Sequence, residues 1–264
     1  MRVDAVLVRD GLARSRRHAT ELITAGRVEV DGRPVLRPAT PCGPEQRVRV
    51  IPSATDDDYA SRGAYKLIGA LDAFGVDPRG MRCLDAGAST GGFTDVLLRR
   101  GAAAVVAVDV GHGQLVSRLR DDPRVEVHEG LNIRELAPGD VGTPPELVVA
   151  DLSFISLTLV LPALARVVAP AADLLMMVKP QFEVGRERLG SGGVVRSPEL
   201  RTQAVLSVGS AAQTLGLGVR DVVASPLPGP SGNVEFFLRL RAGESSEGWE
   251  QRVQQVVQGV EVRA

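Results

Sequence analysis

The stretch Cys83-Leu84-Asp85-Ala86-Gly87-Ala88-Ser89-Thr90-Gly91-Gly92-Phe93-Thr94-Asp95 decides the fold. It runs from a short apolar strand through a glycine-rich turn into an amphipathic helix, with Phe93, Val96, Leu97 and Leu98 on the apolar face. Glycines at 87, 91 and 92 let the backbone turn tightly and approach a ligand with no Cβ in the way. Strand, turn and helix in that order describe the first crossover of a doubly wound sheet, where nucleotide-type ligands bind. The turn reads G-A-S-T-G-G rather than G-x-G-x-x-G, so the dinucleotide fingerprint fails.

An acid before the first glycine, Asp85, suits a ligand carrying an amino-acid ammonium group rather than a pyrophosphate. Val105-Val106-Ala107-Val108-Asp109 reads as the next strand, ending in a carboxylate placed to take two ribose hydroxyls. The combination resembles the S-adenosylmethionine site of a Rossmann-type methyltransferase; a glycine turn in some other α/β fold is the alternative.

At 264 residues the chain can bury a real core in one or two domains. Its net charge of −1 advertises no polyanionic partner for the molecule as a whole. The balance is uneven, because residues 1–50 hold ten Arg against six Asp and Glu, a net of +4 that leaves −5 for the rest. No apolar run reaches the roughly 18 residues of a membrane span. No secretory signal precedes the first helix, and a cytoplasmic protein is expected. Cys42 and Cys83 make no disulfide framework or metal motif. Of the 31 basic residues 29 are Arg, and the two lysines are Lys66 and Lys179. A desolvated Lys can release its proton whereas Arg cannot. These two positions are therefore candidates for needing an amine rather than mere charge, the alternative being chance survival.

Residues 3–10 read as a short helix stopped by Gly11. Ser15 is placed to cap a second helix that buries Ala19, Leu22 and Ile23 and stops at Gly26. Val28-Glu29-Val30 and a segment from Val35 read as strands joined through Asp31-Gly32, a hairpin signal. Arg14, Arg16 and Arg17 crowd the start of the second helix, where the macrodipole disfavours cations, and suggest a site for something anionic. This segment resembles the S4-like RNA-binding domain. The likeness rests on Gly11-Leu12-Ala13-Arg14-Ser15-Arg16-Arg17-His18-Ala19 and on Leu22-Ile23-Thr24-Ala25-Gly26-Arg27-Val28-Glu29-Val30-Asp31-Gly32. It implies RNA contacts at Arg2, Arg14, Ser15, Arg16, Arg17 and Arg27, with Arg62 adding one beyond the domain.

The expected domains are 1–51, a linker at 52–60, an α/β domain at 61–242 and a tail at 243–264 with a short helix. Lys66, Leu67, Ala70, Leu71 and Phe74 recur at helical spacing, and Gly75 ends that helix. Seven strands are expected near 81–87, 104–110, 125–130, 146–151, 173–179, 219–224 and 234–241. Helices fill 92–100, 156–168 and 198–215. The connection Pro228-Gly229-Pro230-Ser231-Gly232-Asn233 is too short for a crossover, so the last strand runs antiparallel.

Asp151 and Lys179 each end an apolar strand, at the carboxyl edge where open α/β sheets bind ligands. Glu235 begins the antiparallel strand at the same edge, and Lys66 comes from the helix before the sheet. The order Lys66, Asp151, Lys179, Glu235 resembles the K-D-K-E tetrad of the FtsJ-like RNA ribose 2′-O-methyltransferases. The flanks Ser61-Arg62-Gly63-Ala64-Tyr65-Lys66-Leu67, Asp151-Leu152-Ser153-Phe154, Val178-Lys179-Pro180-Gln181-Phe182-Glu183 and Gly232-Asn233-Val234-Glu235-Phe236 fit as well. With the N-terminal segment in front, residues 2–241 resemble the TlyA family of rRNA 2′-O-methyltransferases, a family that also carries the name haemolysin.

The resemblance implies a class I Rossmann-type sheet behind a small α+β domain. It implies methyl transfer to cytidines of 16S or 23S ribosomal RNA, with the tetrad catalytic and no metal or membrane involved. Cofactor contacts are implied at Asp85, Gly87, Ala88, Ser89, Gly91, Gly92, Phe93, Asp109, Val110, Asn132 and Asp151. A departure lies in the linker, which is acidic apart from Tyr59 where members can carry a basic, aromatic connector. Two rival readings are an rRNA-binding assembly factor without catalysis and a membrane-lytic protein. The second has only the final helix, polar with a thin Val stripe, to offer a membrane.

Charge reversal at Arg16 and Arg17 is expected to weaken binding to ribosomal RNA and to flatten its salt dependence, since each lost phosphate contact lowers the counterion slope. Titrations at several salt concentrations check this, and an unchanged slope counts against the domain's role.

Overall fold

A computed structural model describes residues 1–13, 15–24, 26–51, 59–229 and 231–260. Arg14, Pro230 and linker positions 52–58 lie outside the described residues. The chain forms two compact units, Met1–Asp58 and Tyr59–Ala264.

In the first unit, α1 (Val3–Arg9) buries Val3, Val6 and Leu7, the i, i+3, i+4 stripe of an amphipathic helix. Ser15 caps α2 (Arg16–Thr24), its hydroxyl accepting the His18 N–H at 3.2 Å. Gly26, at φ +70°, turns the chain so that the Arg27 N–H reaches the Leu22 carbonyl. Asp31 and Gly32 both take positive φ, 51° and 75°, the requirement of a two-residue type I′ hairpin. That hairpin joins β1 (Val28–Val30) to β2 (Arg33–Pro34), two residues earlier than the strand expected from Val35. Val35 still donates its N–H to Val28 and is buried, so the apolar signal was real but the ladder starts sooner. A further strand, β3 (Val48–Val50), pairs with the other side of β1. Three residues with alternating arginine are too short to announce themselves as a strand.

The second unit holds a seven-stranded sheet in the order β6-β5-β4-β7-β8-β10-β9. The strands are β4 (Arg82–Ala86), β5 (Ala104–Asp109), β6 (Val125–Glu129), β7 (Leu147–Ala150), β8 (Asp173–Val178), β9 (Leu217–Ala224) and β10 (Phe236–Ala242). Strands β4 to β8 are parallel, and β10 inserts antiparallel between β8 and β9, as the short connection requires. Both faces of the central strands are apolar because both are covered. One face carries α3 (Ala64–Phe74), α4 (Gly92–Arg99) and α5 (Ser117–Arg120). The short α6 (Pro138–Val141), α7 (Leu161–Val167), α9 (Pro198–Gln213) and α10 (Trp249–Gln258) pack on the other; the single turn α8 (Pro180–Glu183) follows β8.

Composition put the linker through residue 60 and the tail from 243, and packing draws both ends inward. Ala60 is buried and gives its N–H to Asp95 at 2.8 Å, while the Tyr59 ring meets Tyr65 edge-on. Trp249, Val253 and Val257 of α10 are core residues, so the Val stripe of the final helix faces protein. Among the described residues no helix is long and apolar enough to cross a membrane.

Trp249 fills the space that a Cβ on Gly209 would take. Trp249→Ala is expected to cost about 3–5 kcal/mol of stability, the range for removing a buried large aromatic. Urea unfolding measures it, and a loss below about 1 kcal/mol would show α10 to be an appendage.

Candidate active site

The glycine turn leaves β4 through Gly87 at φ +88° and enters α4 after Gly91 at φ +97°. The tight turn expected of these glycines is present, and packing adds a second reason for them. A Cβ on Gly87 would lie 2.7 Å from the Asp151 carbonyl oxygen; one on Gly91 would strike Leu119 and Leu115, and one on Gly92 the Ser61 hydroxyl. The protein itself fills the space, so the glycines are required to close the fold around the turn.

Asp85 is fully buried. Its Oδ2 accepts the Thr94 N–H at 2.9 Å and the Thr94 hydroxyl at 2.7 Å, tying the end of β4 to the first turn of α4. Its Oδ1 is buried without a donor. Asp109, at the end of β5, accepts the Ser89 N–H at 2.8 Å and the Gly111 N–H at 2.7 Å. Val110 beside it is 69% exposed, a bare apolar surface. Asn132 follows β6 and accepts the Arg134 N–H at 3.2 Å. Ala88 is buried, and the Phe93 ring lies in the core 6.2 Å from Phe237. Phe93 can therefore offer a ligand only its backbone.

The four tetrad residues come together as two ion pairs. Lys66 Nζ donates to Glu235 Oε2 at 2.5 Å, and Lys179 Nζ lies 2.6 Å from Asp151 Oδ1 while donating to Ser153 Oγ at 3.0 Å. Both lysines are only 8% exposed, and Glu235 is buried with its Oε1 lacking a donor. Strand register explains the juxtaposition. Phe236 pairs with Val178, so the preceding residue, Glu235, stands beside the following one, Lys179. Ala150 pairs with Met176, which carries Asp151 to the same edge. The start of α3 adjoins them, since a Cβ on Gly63 would sit 3.9 Å from Asp151 Oδ2.

Lys179 and Glu235 line a cavity of about 570 Å³ together with Ser153, Phe154, Gln181, Phe182, Gly193 and Asn233 among others. Phe154 is 92% exposed and holds φ at +64°, a conformation costly for a bulky residue. Its ring lies 5.2 Å from that of Phe182. Sequence reading treated Phe154 only as a flank of Asp151. The available signal was its rarity: the chain has six Phe, and this one follows a polar stretch at a strand's carboxyl end.

The expected RNA contacts divide. Arg2 gives two hydrogen bonds to Asp4, and Arg27 gives two to the Ile51 carbonyl, so both have intramolecular roles. Ser15 caps α2. Arg16 and Arg62 are exposed, Arg17 lies in the first turn of α2, and Arg14 is outside the described residues. Among the described residues no cluster of three His, Cys, Asp or Glu could hold a metal ion.

The model of the FtsJ-like methyltransferases matches residues 59–242, and that of the S4 domain residues 1–48. The 16S/23S rRNA (cytidine-2′-O)-methyltransferase TlyA of Mycobacterium tuberculosis is 59% identical over 242 residues, covering 91% of this chain and 89% of the relative. The chain belongs to the TlyA family. A relative named Hemolysin A, from Brachyspira hyodysenteriae, is 35% identical over 91% of this chain and 99% of its own. A Streptococcus thermophilus structure provisionally described as a hemolysin superposes with a TM-score of 0.77 at 36% identity, covering 98% of this chain and 96% of that one.

In this TlyA-family chain, burial lifts the Asp85 carboxyl to about 7, with the Thr94 hydrogen bonds pulling the other way. The folded value exceeds the ordinary one of about 3.9, so ionising the buried group opposes folding. That penalty is full above pH 7 and is lost as the pH falls toward about 4. Asp85→Asn keeps an acceptor for Thr94 and is expected to stabilise the protein above pH 7, by an amount that shrinks on acidification. Urea melts of both proteins between about pH 5 and pH 8 read this directly; a difference independent of pH would rule out the ionisation.

Proposed function

We propose that the chain transfers the methyl group of S-adenosylmethionine to the ribose 2′-hydroxyl of a cytidine in 16S or 23S ribosomal RNA of the ribosomal subunits, and works in the cytoplasm where that substrate is. The observation that carries the reading is the pair of buried lysine–carboxylate contacts beside a cavity rimmed by an exposed phenyl ring. The relative's name supplies the cytidine and the two subunits.

The residues at the carboxyl ends of β4 and β5 fit the cofactor. Asp85 Oδ1 is a buried acceptor without a donor, which an ammonium group satisfies, and the half-buried Asp109 offers carboxylate oxygens to a ribose diol. Val110 offers an apolar face to a base, and the backbone of Gly87, Ala88, Ser89, Gly91, Gly92 and Phe93, with Asn132, borders the turn. The cofactor supplies the methyl group as a sulfonium electrophile.

A ribose hydroxyl is a poor nucleophile, and in-line displacement demands close alignment. Lys179 at the cavity wall, in its neutral amine form, accepts the hydroxyl proton as the ribose oxygen takes the methyl group and leaves a neutral thioether in place of the sulfonium. Asp151 and Ser153 fix the direction of its amine, and Glu235 does the same for Lys66. The target nucleotide leaves its stack to enter the cavity, as it does in enzymes that extrude a nucleotide into a pocket. Phe154 then stacks the extruded base, as aromatic side chains do in single-strand recognition. The N-terminal unit docks RNA through Arg14, Arg16 and Arg17, and Arg62 supplies a cation near the site. A catalytically silent assembly factor has no use for one of the chain's two lysines in the cavity wall and the other paired to the wall's Glu235. A membrane-lytic protein needs an apolar face, and that of α10 is already spent on the core.

Mapping 2′-O-methylation on ribosomal RNA with and without the protein tests the activity. Lys179→Arg tests the base. The change keeps the charge and much of the reach, but a guanidinium cannot become neutral near pH 7. Methyl transfer is expected to fall by at least ~10²-fold, the usual loss of an acid–base group, with cofactor and RNA affinity little changed. Turnover close to the parent's would make Lys179 an electrostatic support and place the base elsewhere.

A further inference from the structure

Glu183 is a half-buried carboxylate that the proposed chemistry leaves idle. It closes α8, the turn that begins just after Lys179, and it directly follows Phe182. Desolvation raises its carboxyl above the ordinary range against two hydrogen bonds that lower it. Those bonds go to one place. Oε2 accepts the Ser156 hydroxyl at 2.5 Å, and Oε1 accepts the Leu157 N–H at 2.8 Å. Ser156 opens the 3-10 turn Leu157–Leu159 and stands two residues after Phe154. One side chain thus ties the segment carrying the first phenyl ring to the turn carrying the second.

The Phe154 ring has little else to hold it. An exposed ring gains almost nothing from packing, and a positive φ at a bulky residue persists only where the surroundings enforce it. The enforcement comes from both neighbours: upstream the Ser153 hydroxyl accepts from Lys179, and downstream the Leu157 N–H and Ser156 hydroxyl are both spent on Glu183.

We propose that Glu183 is a positioning residue that sets Phe154 against Phe182, so that an extruded nucleobase meets a stacking surface already formed. It acts through Phe154 and touches no reacting atom. This rests on the reading of the cavity as the RNA site. The geometry also says which substitution should be harmless. In Glu183→Gln the amide oxygen still accepts from Leu157 and the amide nitrogen donates to Ser156. The Ser156 hydroxyl then turns to Thr158 Oγ1, which is already 2.7 Å away.

The test is a double-mutant cycle in the full chain, read by single-turnover methylation of ribosomal RNA. Calorimetric S-adenosylmethionine affinity serves as the check that the sheet is intact. Phe154→Ala is expected to lose about 10-fold or more, the scale of one base–aromatic stack. Glu183→Ala should lose a comparable factor, Glu183→Gln should stay near the parent, and Glu183→Ala should cost nothing further once Phe154 is Ala. A Glu183→Ala loss that persists undiminished in the Phe154→Ala background overturns the proposal, as does parental turnover in Glu183→Ala. Should Glu183→Ala not fold, Ser156→Ala removes one of the two bonds from the other side and is judged by the same coupling. The cycle is also read by affinity for a short single-stranded cytidine oligonucleotide, which needs no turnover. A protein that binds the oligonucleotide but methylates nothing sinks the proposed activity, while the coupling in affinity still decides the role of Glu183.

Discussion

Two lysine amines taken out of water are the constraint around which the carboxyl edge of the sheet is arranged. Desolvating a charge costs several kcal/mol unless a partner of opposite sign and further donors or acceptors meet it. Lys66 and Lys179 each have one carboxylate within 2.6 Å, and neither carboxylate is near its lysine in sequence: Lys66 and Glu235 are 169 residues apart. Only a sheet that brings the ends of β7 and β8 and the start of β10 to one edge can satisfy both. The antiparallel insertion of β10 is therefore more than a topological habit. A parallel strand there would end, not begin, at that edge and would carry Glu235 to the far side of the sheet.

The same balance of burial and charge separates two carboxylates that flank α4. Burial raises both. Asp85 has only the neutral donors of Thr94 to oppose it and rises to about 7. In Asp95 the guanidinium of Arg118, the Ala60 N–H and the Arg99 charge outweigh burial, and its carboxyl stays below the ordinary range. Asp95 thereby fastens the first residues of the unit onto α4 as a permanent ion, whereas Asp85 is left able to change charge beneath the turn. A ligand that brings a cation to the turn meets the second kind of carboxyl, not the first.

Much of this was legible in the residues. Apolar runs ending in Asp85, Asp109, Asp151 and Lys179 located four strands and the edge of the site, and the short connection before Glu235 gave the direction of the last strand. Pairing was not legible, because which amine meets which carboxylate depends on register, a property of two strands at once. The glycines at 87, 91 and 92 announce a tight turn, which the positive φ of Gly87 and Gly91 bears out, but not the packing that also demands them. A sequence shows that a Cβ is unwelcome without showing that Leu119, Ser61 and the Asp151 carbonyl are what it would strike. The tail looked polar because α10 exposes most of its surface, and three apolar side chains suffice to bind it to the core. Phe154 broke the rule that aromatic residues go inside, and a broken rule is visible only once burial is known.

The two halves of the site are held by different means, and this bears on how each can vary. The side proposed for the cofactor is a single tight turn fixed by backbone and buried side-chain bonds to β4, β5 and α4, so almost any change there is felt by the fold. The side proposed for the substrate is built from segments that follow the strands and are fastened by a few side chains each. Glu183 holds the Phe154 segment, and Asn233 holds the opposite wall by accepting the Val195 N–H at 2.9 Å and donating to the Gly193 carbonyl at 3.0 Å. Loops fastened by a few side chains over a rigid sheet can be reshaped without dismantling it, which is where recognition is expected to diverge. The methyl donor is common to the chemistry and the RNA is not, so rigidity and adjustability fall on the sides where each is needed.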